Sequence, residues 1–322
     1  MAWLLWPASL VFGAVVRVRR QLYRFRFLRS AGAGVPVVVV GNLVVGGSGK
    51  TPLALWVAEY LAKSGWSPAV VSRGYGGQVD APREVSLTSE AAEVGDEPIV
   101  LARRSGCPVW VGSDRVRVIE ALRAKHPEVN VVVLDDGLQH YRLRRDIEIA
   151  VVGARGFGNG LLLPAGPMRE PTSRLRSVSA VIAHGCDRAA LDPLAGGVRV
   201  FGMRLEGETL HRMTDARERQ PAQSLAGKSV HAVAGIGDPN RFFIQLARFG
   251  AKVQPHPFPD HHPLRAEDLT FGDGLPVVMT EKDAVKLRHA AQAHWWVLPV
   301  HAAPDPGFGD WLLQRLGEWK KP

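Results

Sequence analysis

Apolar residues fall along this chain in two rhythms. Short uninterrupted runs, at Val37–Val40, Ala69–Ser72, Val131–Leu134 and Val181–Ala183, alternate with stretches of helical spacing such as Leu53, Val57 and Leu61, closed by Gly65. Valine-rich runs of this length fit strands covered on both faces, and the wider spacing fits helices packed by one face. The alternation predicts an α/β domain with a largely parallel sheet. Val198–Leu205 reads as an extended connection. A fresh strand–helix unit starts at Ser229–Ile236 with its helix after Pro239, and strands follow at Val277–Thr280 and near Trp295–Val300. This predicts a smaller second α/β domain. The expected divisions are residues 1–30, 31–224 and 225–322, with extended loops around Gly76–Pro82 and Gly156–Pro171.

The first thirty residues follow a different plan. An apolar run from Met1 to Val16 precedes Arg17, Arg19, Arg20, Arg24, Arg26 and Arg29, and no acidic residue occurs before Glu59. A secretory signal carries its positive charge ahead of the apolar stretch, the reverse of this order. The run is also shorter than the roughly 20 residues that cross a bilayer as a helix. As a helix it would place Val18, Leu22, Phe25 and Leu28 on one stripe flanked by arginines, with Trp3 and Trp6 suited to a membrane interface. The expectation is an amphipathic helix lying in the cytoplasmic leaflet, where each arginine near anionic lipid contributes about 1 kcal/mol. Packing of this helix against its own domain stays open. A nucleic-acid arm is the weakest reading, because no recognisable reading module follows.

Composition narrows the partners only coarsely. The 322 residues include 46% hydrophobic and 22% charged, enough to bury a substantial core. A net charge of +9 points to an anionic partner, whether nucleic acid, lipid headgroup or phosphorylated substrate. Cys107 and Cys186 lie outside any CxxC pair, so neither a disulfide framework nor a structural zinc site is expected, and a reducing cytoplasm fits.

The chemistry concentrates after the first strand, where Val37–Val40 runs into GNLVVGGSGKTP and then the helical segment. Strand, glycine loop and helix form the setting of a phosphate-binding loop: amides from Val44 through Val45, Gly46, Gly47, Ser48 and Gly49 would cradle phosphates, Lys50 would reach the β- and γ-phosphates, and Thr51 would ligate magnesium. The strict pattern wants glycine where Val44 stands. The run Val131–Leu134 ends in Asp135 and Asp136, carboxylates placed for magnesium and its waters, with Asp135 slightly ahead. The nearest approach to a guanine-reading element, TEKD at Thr280–Asp283, has lysine and aspartate adjacent and so in the wrong register, which favours ATP. The KGGxGK[ST] form of certain dimeric ATPases fits poorly, because its signature lysine position is Val45.

GNLVVGGSGKTP, SRGYGG at Ser72–Gly77, VGDEP at Val94–Pro98, DDGLQH at Asp135–His140, PAGPMREP at Pro164–Pro171, GIGDPNRF at Gly235–Phe242, FPDHH at Phe258–His262 and TEKDAVK at Thr280–Lys286 run in order along the chain. This set resembles the tetraacyldisaccharide 4'-kinases. The resemblance implies ATP- and magnesium-dependent phosphorylation of the 4'-hydroxyl of a tetraacyldisaccharide 1-phosphate, a lipid-linked glucosamine disaccharide precursor of lipid A. It places the protein at the cytoplasmic face of a Gram-negative inner membrane, peripheral or monotopic on an anionic surface, with no obligate protein partner. It makes Asp96 the base, His261 its support, Lys50 the catalytic cation, and Glu97 with Asp135 or Asp136 the metal environment. Arg73 and Tyr75 follow a strand end, where parallel sheets gather their ligands; with Gln139, His140 and Arg169 they form the expected substrate contacts. Read without the resemblance, Asp96 is a helix cap ahead of Pro98, and His261 with His262 are loop histidines. Two rivals carry the loop without the transfer: an NTPase that couples hydrolysis to a conformational or metal-insertion task, and a nucleotide-regulated membrane adaptor.

Overall fold

The computed structural model describes residues 2–319. Met1, where the expected N-terminal segment begins, and residues 320–322, where the expected C-terminal domain ends, lie outside the described residues. Helix α1 (Ala2–Arg24) leads into strand β1 (Val37–Gly41), helix α2 (Lys50–Lys63), β2 (Pro68–Ser72) and the short β3 (Arg83–Glu84). Helices α3 (Ala91–Val94) and α4 (Asp96–Arg104), strand β4 (Val109–Val111), helix α5 (Arg115–Lys125) and strands β5 (Val131–Asp135), β6 (Ile147–Gly153) and β7 (Ala180–His184) follow. After α6 (Asp192–Ala195) come β8 (Val200–Glu206), β9 (Thr209–Arg212), β10 (Arg219–Pro221), β11 (Ser229–Ala234), α7 (Pro239–Arg248), β12 (Lys252–Pro257) and β13 (Val277–Thr280). The chain closes through α8 (Glu281–Ala284), β14 (Trp295–Leu298), β15 (His301–Pro304) and α9 (Phe308–Gly317).

The described strands form two sheets. The larger has the order β15-β8-β7-β6-β1-β5-β2-β4-β3 and is parallel except for its edge pairs β15–β8 and β3–β4. The smaller has the order β10-β9-β14-β13-β11-β12, parallel from β14 to β12. The α/β class and largely parallel sheets match the sequence pattern. Strand alternation sorts the large core: Val38 and Val40 of β1 face Leu53, Val57 and Leu61 of α2 together with Phe308 and Leu312 of α9. Val37 and Val39 face the other way, toward Ile119 and Leu122 of α5. Truncating Leu61 or Leu122, both fully buried, to alanine is expected to cost about 2–5 kcal/mol each.

Sheet membership does not follow a single cut after residue 224. Strands β9 and β10 already belong to the small sheet, and β15 returns to the large one, where α9 covers α2. The polypeptide therefore crosses between sheets twice, at Glu206–Thr209 and Leu298–His301. Strand β1 is central, and the chain fills one side of it before the other. Such a switch point leaves a crevice at the carboxyl ends of the strands, where the glycine loop lies.

Helix α1 ends sooner than the expected stripe. It stops at Arg24, and Arg26 takes φ 62°, so Phe25 and Leu28 lie past the helix in a turn. One narrow edge docks: Ser9 donates to the Leu162 carbonyl at 2.8 Å, and Tyr23 stacks on Tyr141. Most of its apolar surface stays uncovered, with Trp3 88% and Val11 66% exposed. No helix among the described residues is long and apolar enough to cross a membrane.

Candidate active site

The loop between β1 and α2 is pinned from below and open above. Asn42 donates to the Ser48 hydroxyl at 3.0 Å, and His184 of β7 donates from Nδ1 to the Ser48 carbonyl at 2.9 Å. Gly46 and Gly49 take φ 95° and 89°, a region costly for other residues. A Cβ on Gly49 would also stand 2.6 Å from His184 Nδ1. Lys50 opens α2, its Nζ 3.9 Å from Asp136 Oδ1. Val44 departs from its expected place among the phosphate-binding positions: it pairs in an isolated bridge with Met168 and is not part of the cavity lining. Val45 lines the cavity, but its amide donates to the Pro167 carbonyl at 2.9 Å. The cradle thus begins in effect at Gly46, and the valines fasten it to the Pro164–Pro171 segment.

The adjacent carboxylates at the end of β5 have different surroundings. Thr51 donates to Asp135 Oδ2 at 3.0 Å, whereas Asp135 Oδ1 is buried without a partner. Burial, and then the negative charge of Glu97, pushes the Asp135 carboxyl up, to about 7. Asp136 takes φ 55° and receives Arg169 on both oxygens, at 3.0 and 2.9 Å. Burial alone would raise it, but Lys50 and Arg169 more than offset this and hold it below the usual carboxylate range. An orphaned carboxylate oxygen beside a threonine hydroxyl and Glu97 fits a hard cation. Among the described residues no group of three or more His, Cys, Asp and Glu side chains forms a ready cage. Magnesium, a hard cation, keeps several waters and takes phosphate oxygens as ligands.

On the other side of the cavity, Asp96 opens α4 after Gly95 at φ 88°, and its Oδ1 accepts the Glu97 amide at 2.8 Å. It is buried, and the helix N-terminus favours its negative charge. His261, from the loop after β12, donates through Nδ1 to both Asp96 oxygens at 3.2 Å. Lys282 at the start of α8 donates to Asp260 at 2.8 Å, to Glu97 at 3.2 Å and to His261 Nε2 at 3.3 Å. An ammonium can only donate, so Nε2 accepts and the imidazole proton sits on Nδ1, facing Asp96. Lys286 stands 3.5 Å from Asp96. Burial works to raise Asp96, yet His261, Lys282 and Lys286 hold it below the usual carboxylate range. The Asp96 hydrogen bond makes His261 more basic than ordinary histidine, against burial and the Lys282 charge. His261 itself takes φ 61°. With Asp136 it makes two of the three non-glycine residues of positive φ among those described, a strain pattern characteristic of functional sites.

Both groups reach one cavity of about 550 Å³, lined by Gly46–Thr51, Tyr75, Glu97, Asp136, Arg169, His261 and Lys282 among others; Asp96 and Asp135 are buried off the lining and reach it through their hydrogen-bond partners His261 and Thr51. The two sheets meet across it: a Cβ on Gly237, between β11 and α7, would lie 2.5 Å from the Gly47 nitrogen. A profile of the tetraacyldisaccharide-1-P 4'-kinase family, LpxK, matches residues 1–317. A tetraacyldisaccharide 4'-kinase of Azoarcus sp. (strain BH72) is 49% identical over 321 residues, covering 100% of this chain and 94% of the relative. One from Alkalilimnicola ehrlichii is 52% identical over 313 residues, covering 96% and 91%. The crystal structure of "apo" form LpxK from Aquifex aeolicus in complex with ATP superposes with a TM-score of 0.81 at 29% identity, covering 98% of this chain and 99% of the other. The chain belongs to the tetraacyldisaccharide 4'-kinase family.

The family's motifs converge unevenly on this cavity. Tyr75 of SRGYGG lines it and packs edge-on against His261 at 4.8 Å between ring centres. Arg73 is exposed and off the lining. Gln139 and His140, expected to touch substrate, also lie off the lining. The Gln139 amide donates to the Asn42 carbonyl at 3.1 Å and to Glu170 at 3.0 Å, so it braces the loop that carries Arg169. Burial and Arg115 push His140 down to about 4. Lys282 and Lys286, both within TEKDAVK, belong to the site although the sequence alone marks neither one singly. Lys282 lies in α8 and Lys286 in the 3₁₀ turn that continues it, and their four-residue spacing after a strand end is the signal that marks them together.

Proposed function

We propose that this chain transfers the γ-phosphoryl group of ATP to the 4'-hydroxyl of a tetraacyldisaccharide 1-phosphate, the lipid A precursor. The observation that carries this reading is that Lys50 and Thr51 line one cavity with His261, Thr51 being hydrogen-bonded to Asp135 and His261 to Asp96. Thr51 and Asp135, with Glu97 close by, would hold a magnesium ion, which would supply charge neutralisation to the donor's phosphates. Lys50 and the loop amides hold the donor. Asp96 aligns the acceptor hydroxyl and takes its proton as the new P–O bond forms and the bond to the β–γ bridging oxygen breaks, its electron pair leaving with ADP. A depressed Asp96 is a weak ground-state base, so its work is orientation first and proton acceptance late, as a loose transition state requires. His261 fixes the carboxylate's direction, and Lys282 fixes the tautomer of His261.

The direct test incubates the protein with γ-labelled ATP, magnesium and detergent-dispersed disaccharide monophosphate. Label should move to the lipid. Release of inorganic phosphate at the same rate without the lipid would instead support the hydrolytic rival.

Helix α1 supports a peripheral position at the cytoplasmic face of the inner membrane. Its uncovered Trp3, Leu4, Val11 and Val15 form the kind of apolar surface that marks an interaction site, and Arg17, Arg19 and Arg24 lie on the same helix. Sedimentation with vesicles containing anionic lipid should carry the protein down, and far less so without the anionic lipid.

A further inference from the structure

Arg241 is the third residue of α7, within the GIGDPNRF segment, and belongs to the small sheet's half of the molecule. It lines the nucleotide cavity and makes no ion pair with any described residue, the charge of Asp238 being felt only at longer range. Its one polar neighbour within hydrogen-bond range is His184 Nδ1, at 3.4 Å. That contact supplies no acceptor. His184 Nδ1 lies 2.9 Å from the Ser48 carbonyl, which can only accept, so the ring proton must stand on Nδ1. Arg241 therefore faces a donor with a donor. His184 is also neutral at physiological pH, since burial pushes it down to about 4.

A guanidinium carries five donors in a fixed fork, and leaving it half-buried with nothing to accept them is unfavourable. It stands next to the imidazole that contacts Ser48 and Gly49, the part of the loop whose amides turn toward phosphate. The geometry points to a missing anion. We propose that Arg241 is a ligand of the donor's polyphosphate, a cation brought by the small sheet's helix α7 to phosphates cradled by the large sheet's loop. The donor is then gripped from both halves of the molecule, whose contact already places His261 on Asp96. This rests on the kinase reading and adds to it a residue from outside the phosphate loop.

The test compares the full-length protein with Arg241→Ala, Arg241→Lys and Arg248→Ala, the last removing an exposed arginine from the other end of the same helix. Without nucleotide, Arg241→Ala should melt no lower than wild type, because the half-buried guanidinium makes no ion pair and its one attractive neighbour is the charge of Asp238. With Mg-ATP or Mg-ADP, Arg241→Ala should bind about 10- to 100-fold more weakly, the range for losing a hydrogen-bonded charge, and its nucleotide-dependent rise in melting temperature should shrink accordingly. Arg241→Lys should recover part of this, keeping charge without the fork; Arg248→Ala should match wild type. Undiminished ATP and ADP affinity in Arg241→Ala would overturn the proposal. Equal weakening toward adenosine, which has no phosphate, would overturn it too. A wild-type chain that binds no ATP would fail the kinase reading together with this one, whereas normal wild-type binding with an unaffected Arg241→Ala fails this one alone.

Discussion

The phosphate loop and the Asp96–His261 pair meet at the same cavity, the pair through His261, but are built in opposite ways. The loop is contiguous: the run Gly46–Thr51, which ends in the first residues of α2, supplies its amides, its lysine and its threonine, and the backbone does most of the work. The pair joins residues 165 apart in sequence, one opening α4 and one in the loop after β12, held by side-chain charge. Asp96 is kept ionised by His261, Lys282 and Lys286, and Lys282 is shared with Asp260 and Glu97. A contiguous site keeps its geometry whenever its strand and helix form. A site assembled from two sheets depends on how those sheets meet, so nucleotide binding and transfer should be separable by mutation.

The largest effect should come from the loop. Lys50→Ala should reduce transfer by roughly 10³- to 10⁵-fold, as for other charge stabilisers of phosphoryl transfer, and should weaken ATP binding with it. Retained tight ATP binding in this variant would break the contrast, because both functions would then lie outside the loop. Next, His261→Gln should sharpen it through stability measured against pH. His261 titrates higher in the folded state than its ordinary 6.5, so its contribution is complete below that value and is lost as pH rises through the raised folded value. Asp96, depressed when folded, contributes above its ordinary 3.8 and loses that contribution as pH falls through the folded value. Melting curves of wild type should therefore decline on the alkaline side more than those of His261→Gln. Parallel curves would show that the pair is not coupled. The smallest expected effect is electrostatic: Lys282 opposes protonation of His261, so Lys282→Met should move the His261 titration, followed by NMR, upward. A downward movement would contradict the role assigned to Lys282.

The same contrast governs what the sequence discloses. The strand–loop–helix from Val37 to Lys63 is readable because its signals are local: a valine run, glycines where φ is positive, and helical spacing after Lys50. The α/β class follows from the same rhythm. The return of β15 and α9 to the large sheet is not readable, since nothing local in His301–Gly317 says which sheet edge it will join. Asp96 by itself reads as a cap, and the structure does place it at a helix start; its second property, contact with His261, depends on the sheets meeting. Gln139 misleads for a related reason. It sits beside two site carboxylates in sequence, yet the turn at Asp136 sends its amide toward Asn42 and Glu170.

Separability is tested most directly by single-turnover transfer from γ-labelled ATP to the disaccharide monophosphate with Asp96→Asn, measured beside its ATP affinity. The account predicts transfer slower by about 10²- to 10⁴-fold, with ATP bound as tightly as by wild type. Transfer at the wild-type rate, or loss of ATP binding in proportion to the loss of transfer, would contradict it.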